Sequence, residues 1–219
     1  MAEVAVITAL YGAYDTLKPV LPQNGVDVDW VLVTDDPELL NATLGWRVVY
    51  RPLPDTHPNR AAKLPKLFPW EYTDASSSVW LDASYRVFSP DFVTGAMACA
   101  DPIAQFVHPW RDCVYTEALA SKDLAKYKGE DFDTQVKEYQ DWHHHPEHWG
   151  LWATGVIARR HTPTVRDMGD YWSELIDRGT FQDQVSQPAA LRFNGLRPSP
   201  FPGDHLTNDW VRYEGSGNH

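Results

Sequence analysis

The segment VAVITALYGAYD, residues 4–15, decides the fold, because a run of mostly apolar residues leads directly into a loop with two tyrosines and an aspartate. A continuous apolar run of this kind is typical of a strand that is buried on both faces of a parallel sheet. Similar runs at residues 29–34 and 78–81 also end at aspartates, Asp35 and Asp82. Ligands bind at the carboxyl ends of the strands in open α/β sheets, so these strand ends predict a site along one edge of the sheet.

The rest of the chain alternates strand patterns with helix patterns. This alternation predicts an α/β fold with a single Rossmann-like domain, in which helices flank a mostly parallel central sheet. Residues 1–193 are expected to form this domain, and the tail rich in proline and glycine, 194–219, is expected to be coil that packs on it. We predict further strands over 46–50, 103–107 and 156–158, a short helix from Pro90, and helices over 60–67 with a break at Pro65, 115–127, 133–142, 163–177 and 181–191.

The composition argues against several classes of protein. The 219 residues include 19 basic and 30 acidic ones, and the net charge of −11 repels phosphate backbones, which argues against general nucleic-acid coating. Two cysteines are too few for a disulfide framework and are typical of a reducing compartment. No apolar run approaches the ~20 residues of a membrane span, and the N-terminus lacks the basic region of a signal peptide. We therefore expect a cytoplasmic protein without a membrane partner, and we expect a monomer or a small homo-oligomer.

The strand that ends at Asp82 carries the first candidate site. An acid at the end of a buried strand, with Ser84 two residues further on, can aim two oxygens at one divalent ion, which in turn neutralises a diphosphate. His205 in the tail, together with Asp82, could complete an octahedral manganese site. The alternative for Asp82 is an ordinary strand-end aspartate that caps a turn.

Three basic residues, Arg60, Lys63 and Lys66, lie on one broad face of a predicted helix. If Lys63 and Arg60 point inward, they could hold phosphate oxygens, and the arginine could do so with two parallel hydrogen bonds. Alternatively, they form a solvated helix face. The same three residues, with Arg51 and the arginine pair at 159–160, could also line a basic groove for a polynucleotide, which needs only a few phosphate contacts.

The segment HPWRDCVYTE, residues 108–117, follows a predicted strand and concentrates histidine, arginine, aspartate, tyrosine and glutamate around one tryptophan. Loops of this kind often carry binding and catalytic residues. Arg111 and Asp112 could equally form a buried structural pair. Further along the chain, Asp183 lies at the start of a predicted helix, where N-terminal capping alone would explain an acid.

Taken in order, the motifs of this chain resemble a glycosyltransferase-like family that includes the plant mucilage and pollen-tapetum proteins and has bacterial and viral members. The resemblance covers residues 4–190, and its most specific parts are the segment 108–117 and the strand end WLD. This family is similar in turn to GT-A transferases of the glycogenin and lipopolysaccharide-galactosyltransferase kind. The motifs that carry the resemblance are TALYGAYD (8–15), VTDD (33–36), RAAK (60–63), WLD (80–82), HPWRDCVYTE (108–117), WGL (149–151), ARRH (158–161) and DQ (183–184).

The resemblance implies a single GT-A domain that moves a hexose or a pentose from a nucleotide diphosphate sugar to an acceptor hydroxyl. A UDP-sugar is the donor expected first, and the acceptor would be a glycan or a hydroxymethylated base in DNA. The cell would be a bacterium or an infected host. A divalent metal, Mn²⁺ first of all, would be held by Asp82 and His205 and would assist the leaving diphosphate.

The resemblance also assigns roles to individual residues. Within the donor site, Ala9, Tyr11 and Asp35 would hold the base and ribose. The full donor-binding set would be Ala9, Tyr11, Tyr14, Asp35, Arg60, Lys63, Asp82 and Ser84. The catalytic candidates are Asp183 and Gln184, which would lie near the reacting carbon, and two further carboxylates, Asp112 and Glu117. The acceptor side would consist of His108, Arg111, Tyr115 and Trp152.

The sequence departs from the family pattern at two positions. Ser84 stands where the second acid of the metal-binding Asp-x-Asp motif is expected, and Ala153 stands where an acid is expected near the acceptor. Positioned cations such as Lys63 and Arg60 could then carry the charge of the leaving group instead. These departures keep open a second interpretation, a non-catalytic module that binds nucleotide sugars or carbohydrate and has a degenerate metal site.

Overall fold

The computed structural model describes residues 2–41, 44–54 and 56–215. None of the helices in these ranges combines the length and the apolar character needed to cross a bilayer. The strands are β1 (Val4–Leu10), β2 (Val28–Thr34), β3 (Arg47–Tyr50), β4 (Ser77–Leu81), β5 (Tyr85–Val87), β6 (Ile103–Val107), β7 (Trp152–Arg160), β8 (Ser199–Pro200) and β9 (Val211–Tyr213). The α-helices are α1 (Pro58–Leu67), α2 (Phe92–Cys99), α3 (Val114–Lys122), α4 (Phe132–Asp141), α5 (Pro163–Arg178) and α6 (Asp183–Phe193), and 3-10 helices lie at Pro37–Asn41, Pro69–Glu71 and Ala125–Tyr127.

Seven of these strands form one sheet in the order β3-β2-β1-β4-β7-β6-β8. β1 pairs in parallel with β2 and with β4, whereas β7 runs antiparallel to both β4 and β6. The predicted fold class is therefore confirmed: a mostly parallel sheet flanked by helices. Because β1, β2 and β4 point the same way, their carboxyl ends lie at one edge, and the first residues of β7 reach the same edge.

β1 is buried along its whole length because helices cover both faces of the sheet. Ala5 and Ile7 pack in one core cluster with residues of α1, α5 and α6. Val4 and Val6 point to the opposite face and pack in a second cluster with α2. A fully buried aliphatic side chain of this size contributes about 1.5–3 kcal/mol, so the apolar run anchors the centre of the sheet.

Several elements differ from the sequence-based expectation. α1 continues through Pro65, which lies near the end of the helix, where few helical hydrogen bonds are left to lose. The helix expected over 115–127 ends earlier and is followed by a 3-10 turn. β7 has nine residues rather than three, because its first residues pair with β6 beyond an irregularity in register. The tail contains β8, which pairs with β6, and β9, which pairs with β5; the boundary at residue 193 stays a prediction.

Gly169 of α5 lies against the end of α1 and has no room for a side chain. An added Cβ would lie 2.7 Å from the Leu67 carbonyl oxygen and 2.9 Å from the Trp70 ring. Gly169→Ala should therefore destabilise the protein by about 1–3 kcal/mol, although alanine favours a helix over glycine by about 1 kcal/mol. Thermal unfolding followed by circular dichroism measures this, at about 2–4 °C of Tm for each kcal/mol in a chain of this size.

The matched control is Asp170→Ala, on the exposed face of the same helix turn. It should leave the melting temperature unchanged or raise it slightly, since it removes no contact with α1. A Gly169→Ala protein as stable as the wild type would contradict the close packing of the two helices.

Candidate functional site

A cavity opens at the carboxyl ends of β1 and β4, the edge at which the strand ends predict a site. Six of the predicted donor-binding residues line this cavity together. They come from the ends of the two strands, from the loops that follow them and from α1: Ala9, Tyr11, Tyr14, Lys63, Asp82 and Ser84.

Asp35 shapes the loop that enters the cavity. Its carboxylate oxygens accept the Gly12 N–H at 3.1 and 3.3 Å, and Gly12 has φ +64°, which glycine adopts without strain. The end of β2 thus holds the loop that carries Tyr11 and Tyr14. Burial, with the neighbouring Tyr72 and Asp35, raises the pKa of Tyr11 to about 12, so its phenol is a neutral hydrogen-bond donor at pH 7.

At the wall of the cavity, two lysines of α1 converge on the first residue of α6. Lys63 Nζ lies 3.0 Å and Lys66 Nζ 2.5 Å from Oδ2 of Asp183. Lys66 Nζ also lies 3.3 Å from Oδ1 of Asp82, and Thr154 Oγ1 donates to Oδ1 of Asp183 at 3.2 Å. The side chains of Lys66 and Asp183 are only 1% and 4% exposed, so these charges lie in the interior. We call Lys63, Lys66, Asp82 and Asp183 the lysine–aspartate cluster.

Burial and ion pairing compete in this cluster. Burial alone would raise the pKa of Asp183, but the two adjacent ammonium groups outweigh it and hold that pKa far below its ordinary value. Burial likewise lowers the pKa of Lys66, but attraction to Asp183 and Asp82 outweighs it, and the pKa of Lys66 is raised. For Lys63 burial dominates, and its pKa is lowered. Asp183 is therefore ionised at neutral pH and binds ammonium groups rather than capping the helix.

A second polar cluster surrounds Glu117 of α3, within the segment 108–117. Arg111 Nε donates to Oε2 of Glu117, and Gln184 Nε2 donates to Oε1 at 2.8 Å. Gln182 Nε2 lies 3.3 Å from Oε1, and Nε2 of His108 lies 3.7 Å from Oε2. Both carboxylate oxygens have partners, so Glu117 organises this cluster. Arg111 therefore pairs with Glu117, and the pair of Arg111 with Asp112 that the sequence allowed is not formed.

His108 presents one defined nitrogen to this cluster. Its Nδ1 accepts the backbone N–H groups of Trp110 and Arg111 at 3.3 and 3.0 Å. Burial lowers the pKa of His108, and the neutral ring then carries its proton on Nε2, the nitrogen that faces Glu117. The rings of Trp110 and His205 lie beside it, with His205 6.3 Å from His108 between centroids. These rings form an aromatic wall at this side of the site.

Asp183 and Gln184 join the two clusters. The first binds the lysines of α1, and the second binds Glu117. Thr154, at the start of β7, donates its hydroxyl to Asp183 and its N–H to Gln184 Oε1 at 3.4 Å. The predicted catalytic pair therefore lies between the predicted donor side and the predicted acceptor side.

Arg60 lies apart from the cavity that it was expected to line. Its guanidinium pairs with Glu130 at 3.0 Å and donates to the carbonyl oxygens of Ile176 and Gly179 at 2.6 and 3.0 Å. A cation at this position satisfies the orphan carbonyl groups at the C-terminus of α5. Of the three basic residues on the α1 face, the two lysines reach the cluster and the arginine stabilises a neighbouring helix.

Three further predicted residues have partners outside the two clusters. Asp112 is exposed and pairs with His148 at 2.7 Å. The Tyr115 hydroxyl donates to the His145 carbonyl oxygen at 2.5 Å. Trp152 is buried edge-on against another tryptophan. On the predicted acceptor side, the structure thus brings His108 and Arg111 to Glu117, while the other two residues pack elsewhere.

Manganese at Asp82 and His205 stays a prediction, and the donor set around Asp82 does not suit a divalent ion. Oδ1 of Asp82 accepts Trp80 Nε1 at 2.6 Å and lies 3.3 Å from the Lys66 ammonium, so a metal on this carboxylate would sit beside a buried positive charge. His205 lies beside His108. Within the described ranges, no group of three or more His, Cys, Asp or Glu side chains is arranged to hold a metal ion.

Sequence reasoning missed Thr154 and Gln182 and gave Lys66 no role in the final site. Lys66 did carry a signal, because it shares a helix face with Lys63 at a spacing of three residues. No sequence pattern pointed to Thr154, because its contact with Asp183 depends on the antiparallel pairing of β7 with β4.

The family model of the TOD1/MUCI70 glycosyltransferase-like domain matches residues 31–196. This span contains both clusters. The chain belongs to the TOD1/MUCI70 glycosyltransferase-like family. Membership confirms the resemblance drawn from the motifs. No curated protein has a matching sequence.

Among solved structures, this TOD1/MUCI70-like chain is similar to the apo structure of WbbM, a bifunctional glycosyltransferase. The TM-score is 0.55 with 11% identity over 86% of this chain. The chain spans 37% of the length of that protein. At this level of identity the likeness shows a shared fold, and that fold belongs to a glycosyltransferase.

Asp183→Asn tests the electrostatic role of the lysine–aspartate cluster. The substitution leaves Lys63 and Lys66 buried without their shared carboxylate, and removing one partner of a buried ion pair costs about 3–5 kcal/mol. Urea unfolding at pH 7 should show this loss. Because the native pKa of Asp183 lies below that of the unfolded chain, its contribution is complete above about pH 4 and declines as the pH falls further.

The difference in unfolding free energy between wild type and Asp183→Asn should therefore shrink in acid. Asp167→Asn, an exposed position on α5, serves as the control and should change stability little at either pH. A difference that stays constant from neutral pH down to about pH 3 would show that the carboxyl pKa is not depressed.

Proposed function

We propose that this chain transfers a hexose or a pentose from a nucleoside diphosphate sugar to an acceptor hydroxyl, with a UDP-sugar as the first candidate donor. The observation that carries the proposal is the cavity at the ends of β1 and β4. It combines phenol, ammonium and carboxylate groups within one pocket, from Tyr11, Tyr14, Lys63 and Asp82. Family membership and the shared fold support glycosyl transfer in general, and the cavity supports the donor class.

The walls of the cavity suit the parts of such a donor. Trp80, Tyr127 and Phe181 contribute aromatic surface, against which a base or the apolar face of a sugar can pack. Lys63 and Lys126 contribute ammonium groups, which bind phosphate as point charges. An apolar pocket with a few placed polar groups is the usual form of a small-molecule site.

The transfer exchanges one bond at the anomeric carbon for another. The bond from this carbon to the diphosphate oxygen breaks, and its electron pair stays on the diphosphate. The acceptor hydroxyl oxygen forms the new bond, and its proton passes to the released diphosphate or to water. Cations that are fixed near the leaving oxygens stabilise the developing charge, and Lys63 is placed for that role.

We place the acceptor on the side of Glu117, His108 and Arg111. Trp110 at this side is 66% exposed and offers a ring face on which a sugar or a base can stack. A glycan is favoured over duplex DNA, because Lys66 and Arg159 of the expected basic groove are fully buried. A hydroxymethylated base in DNA is the second acceptor to test.

The test is release of nucleoside diphosphate from UDP-, GDP- and dTDP-sugars, with a glycan mixture or hydroxymethylated DNA as acceptor. The wild type should release the diphosphate and form a glycosylated product with one donor. Lys63→Met removes the ammonium group that is fixed near the leaving oxygens, and it should lower the rate by about 100-fold. Asp167→Asn, remote from the cavity, should keep full activity.

The rival interpretation, a non-catalytic module for nucleotide sugars or carbohydrate, predicts donor binding without release. Calorimetric binding measured on the same samples separates the two. Donor that binds and stays intact with every acceptor would support the rival and refute the transfer reaction.

A further inference from the structure

We infer that Lys63 and Lys66 take the place of a divalent cation in this site, so that the chain binds and releases its diphosphate without a metal. The inference rests on the proposed function and deepens it, because it names the group that neutralises the leaving diphosphate.

Lys66 places a buried positive charge beside the strand-end acid. Its Nζ lies 3.3 Å from Oδ1 of Asp82 and 5.3 Å from the centroid of the Trp80 ring. Asp183 holds the same ammonium at 2.5 Å, in the interior. Displacing Lys66 would leave a buried carboxylate with one partner fewer, at a high cost in free energy. The cation on Asp82 is therefore built into the fold.

Lys63 brings positive charge to the cavity itself. Its side chain lines the cavity and is 19% exposed, while its Nζ stays 3.0 Å from Asp183. A phosphate oxygen in the cavity can therefore contact an ammonium whose position is fixed beforehand. Fixed donors of this kind stabilise a leaving anion without reorganisation during the reaction.

The charges of the cluster match those of a metal-loaded pair of acids. Two carboxylates with one divalent ion sum to zero, and so do Asp82 and Asp183 with Lys63 and Lys66. Without the lysines, the inner wall would carry two negative charges and would repel a diphosphate. Lys126, which also lines the cavity, adds a further positive charge on the side of the donor.

The serine at position 84 is consistent with a site in which lysines replace a metal ion. A divalent ion of the Mg²⁺ or Mn²⁺ type binds through carboxylates and phosphate oxygens, and a second acid strengthens its site. A lysine pair needs no second acid at the strand end. The serine at position 84 and the buried lysines are separate observations, and both are expected of a site that works without a metal.

The test measures binding of UDP, GDP and dTDP by calorimetry, with the protein in EDTA and in MnCl₂. At least one of the three should bind wild type with the same Kd, to within about twofold, in both buffers. Lys63→Met should weaken that binding by about tenfold or more in both, and Lys63→Arg should keep most of it because it keeps the charge. Lys122→Met removes the same charge from an exposed pair with Asp133 and is the matched control.

A conversion variant sharpens the comparison. Lys66→Met combined with Ser84→Asp removes the ammonium from Asp82 and supplies the second acid. It should bind the same nucleotide more tightly in MnCl₂ than in EDTA by about tenfold or more, a metal dependence that wild type lacks. Circular dichroism verifies that this variant folds. If it does not fold, the comparison of Lys63→Met with Lys63→Arg decides the test.

The outcomes separate this inference from the proposed function. Binding and diphosphate release that require Mn²⁺ in the wild type overturn the inference and leave the transfer reaction standing. Metal-independent binding that Lys63→Met does not weaken also overturns it. If no nucleoside diphosphate binds in either buffer and no donor is consumed, the proposed function itself fails.

Discussion

The structure depends on one buried interaction, a carboxylate that is shared by two ammonium groups. Asp183 begins α6, and its partner Lys66 lies 117 residues earlier, on α1. Ions lose their hydration on entering the interior, so such a contact persists only when its geometry is good and its remaining hydrogen bonds are satisfied. Here the contact ties α1 to α6 and to the ends of β4 and β7. The packing that completes the fold therefore also places the cavity wall.

The direction of β7 makes this meeting possible. Because β7 runs against β4, it brings its first residues, and not its last, to the edge where β4 ends. A Cβ on Gly155 would lie 2.7 Å from the Tyr85 ring and 3.2 Å from Asp82, so the glycine permits a close approach of β7 to the strand end. Thr154 then reaches Asp183 and Gln184. The same strand pairs with β6, which leads into the segment around Glu117, so the lysine–aspartate cluster and the cluster around Glu117 share one strand.

The sequence predicts at which edge of the sheet the candidate site lies, but it does not predict the partners of individual side chains. A strand buried on both faces appears as an apolar run, and parallel strands end together, so Tyr11 and Asp82 were expected in one place and do line one cavity. Arg60 and Lys63 share a helix face, yet they turn to different partners because the face is broad enough to meet both α5 and the cavity. The pairing of Lys66 with Asp183 leaves no local pattern, since it joins distant parts of the chain.

Burial also decides how the site responds to its ionic surroundings. Dissolved salt screens charges at a protein surface over about 8–10 Å at physiological concentrations. Mobile ions cannot come between Lys66 and Asp183, which are almost completely shielded from solvent, whereas they can reach an exposed pair such as Lys122 and Asp133. If a polyanion with its counter-ions bound at the surface of the site, the ion pair of Lys66 and Asp183 would therefore stay intact.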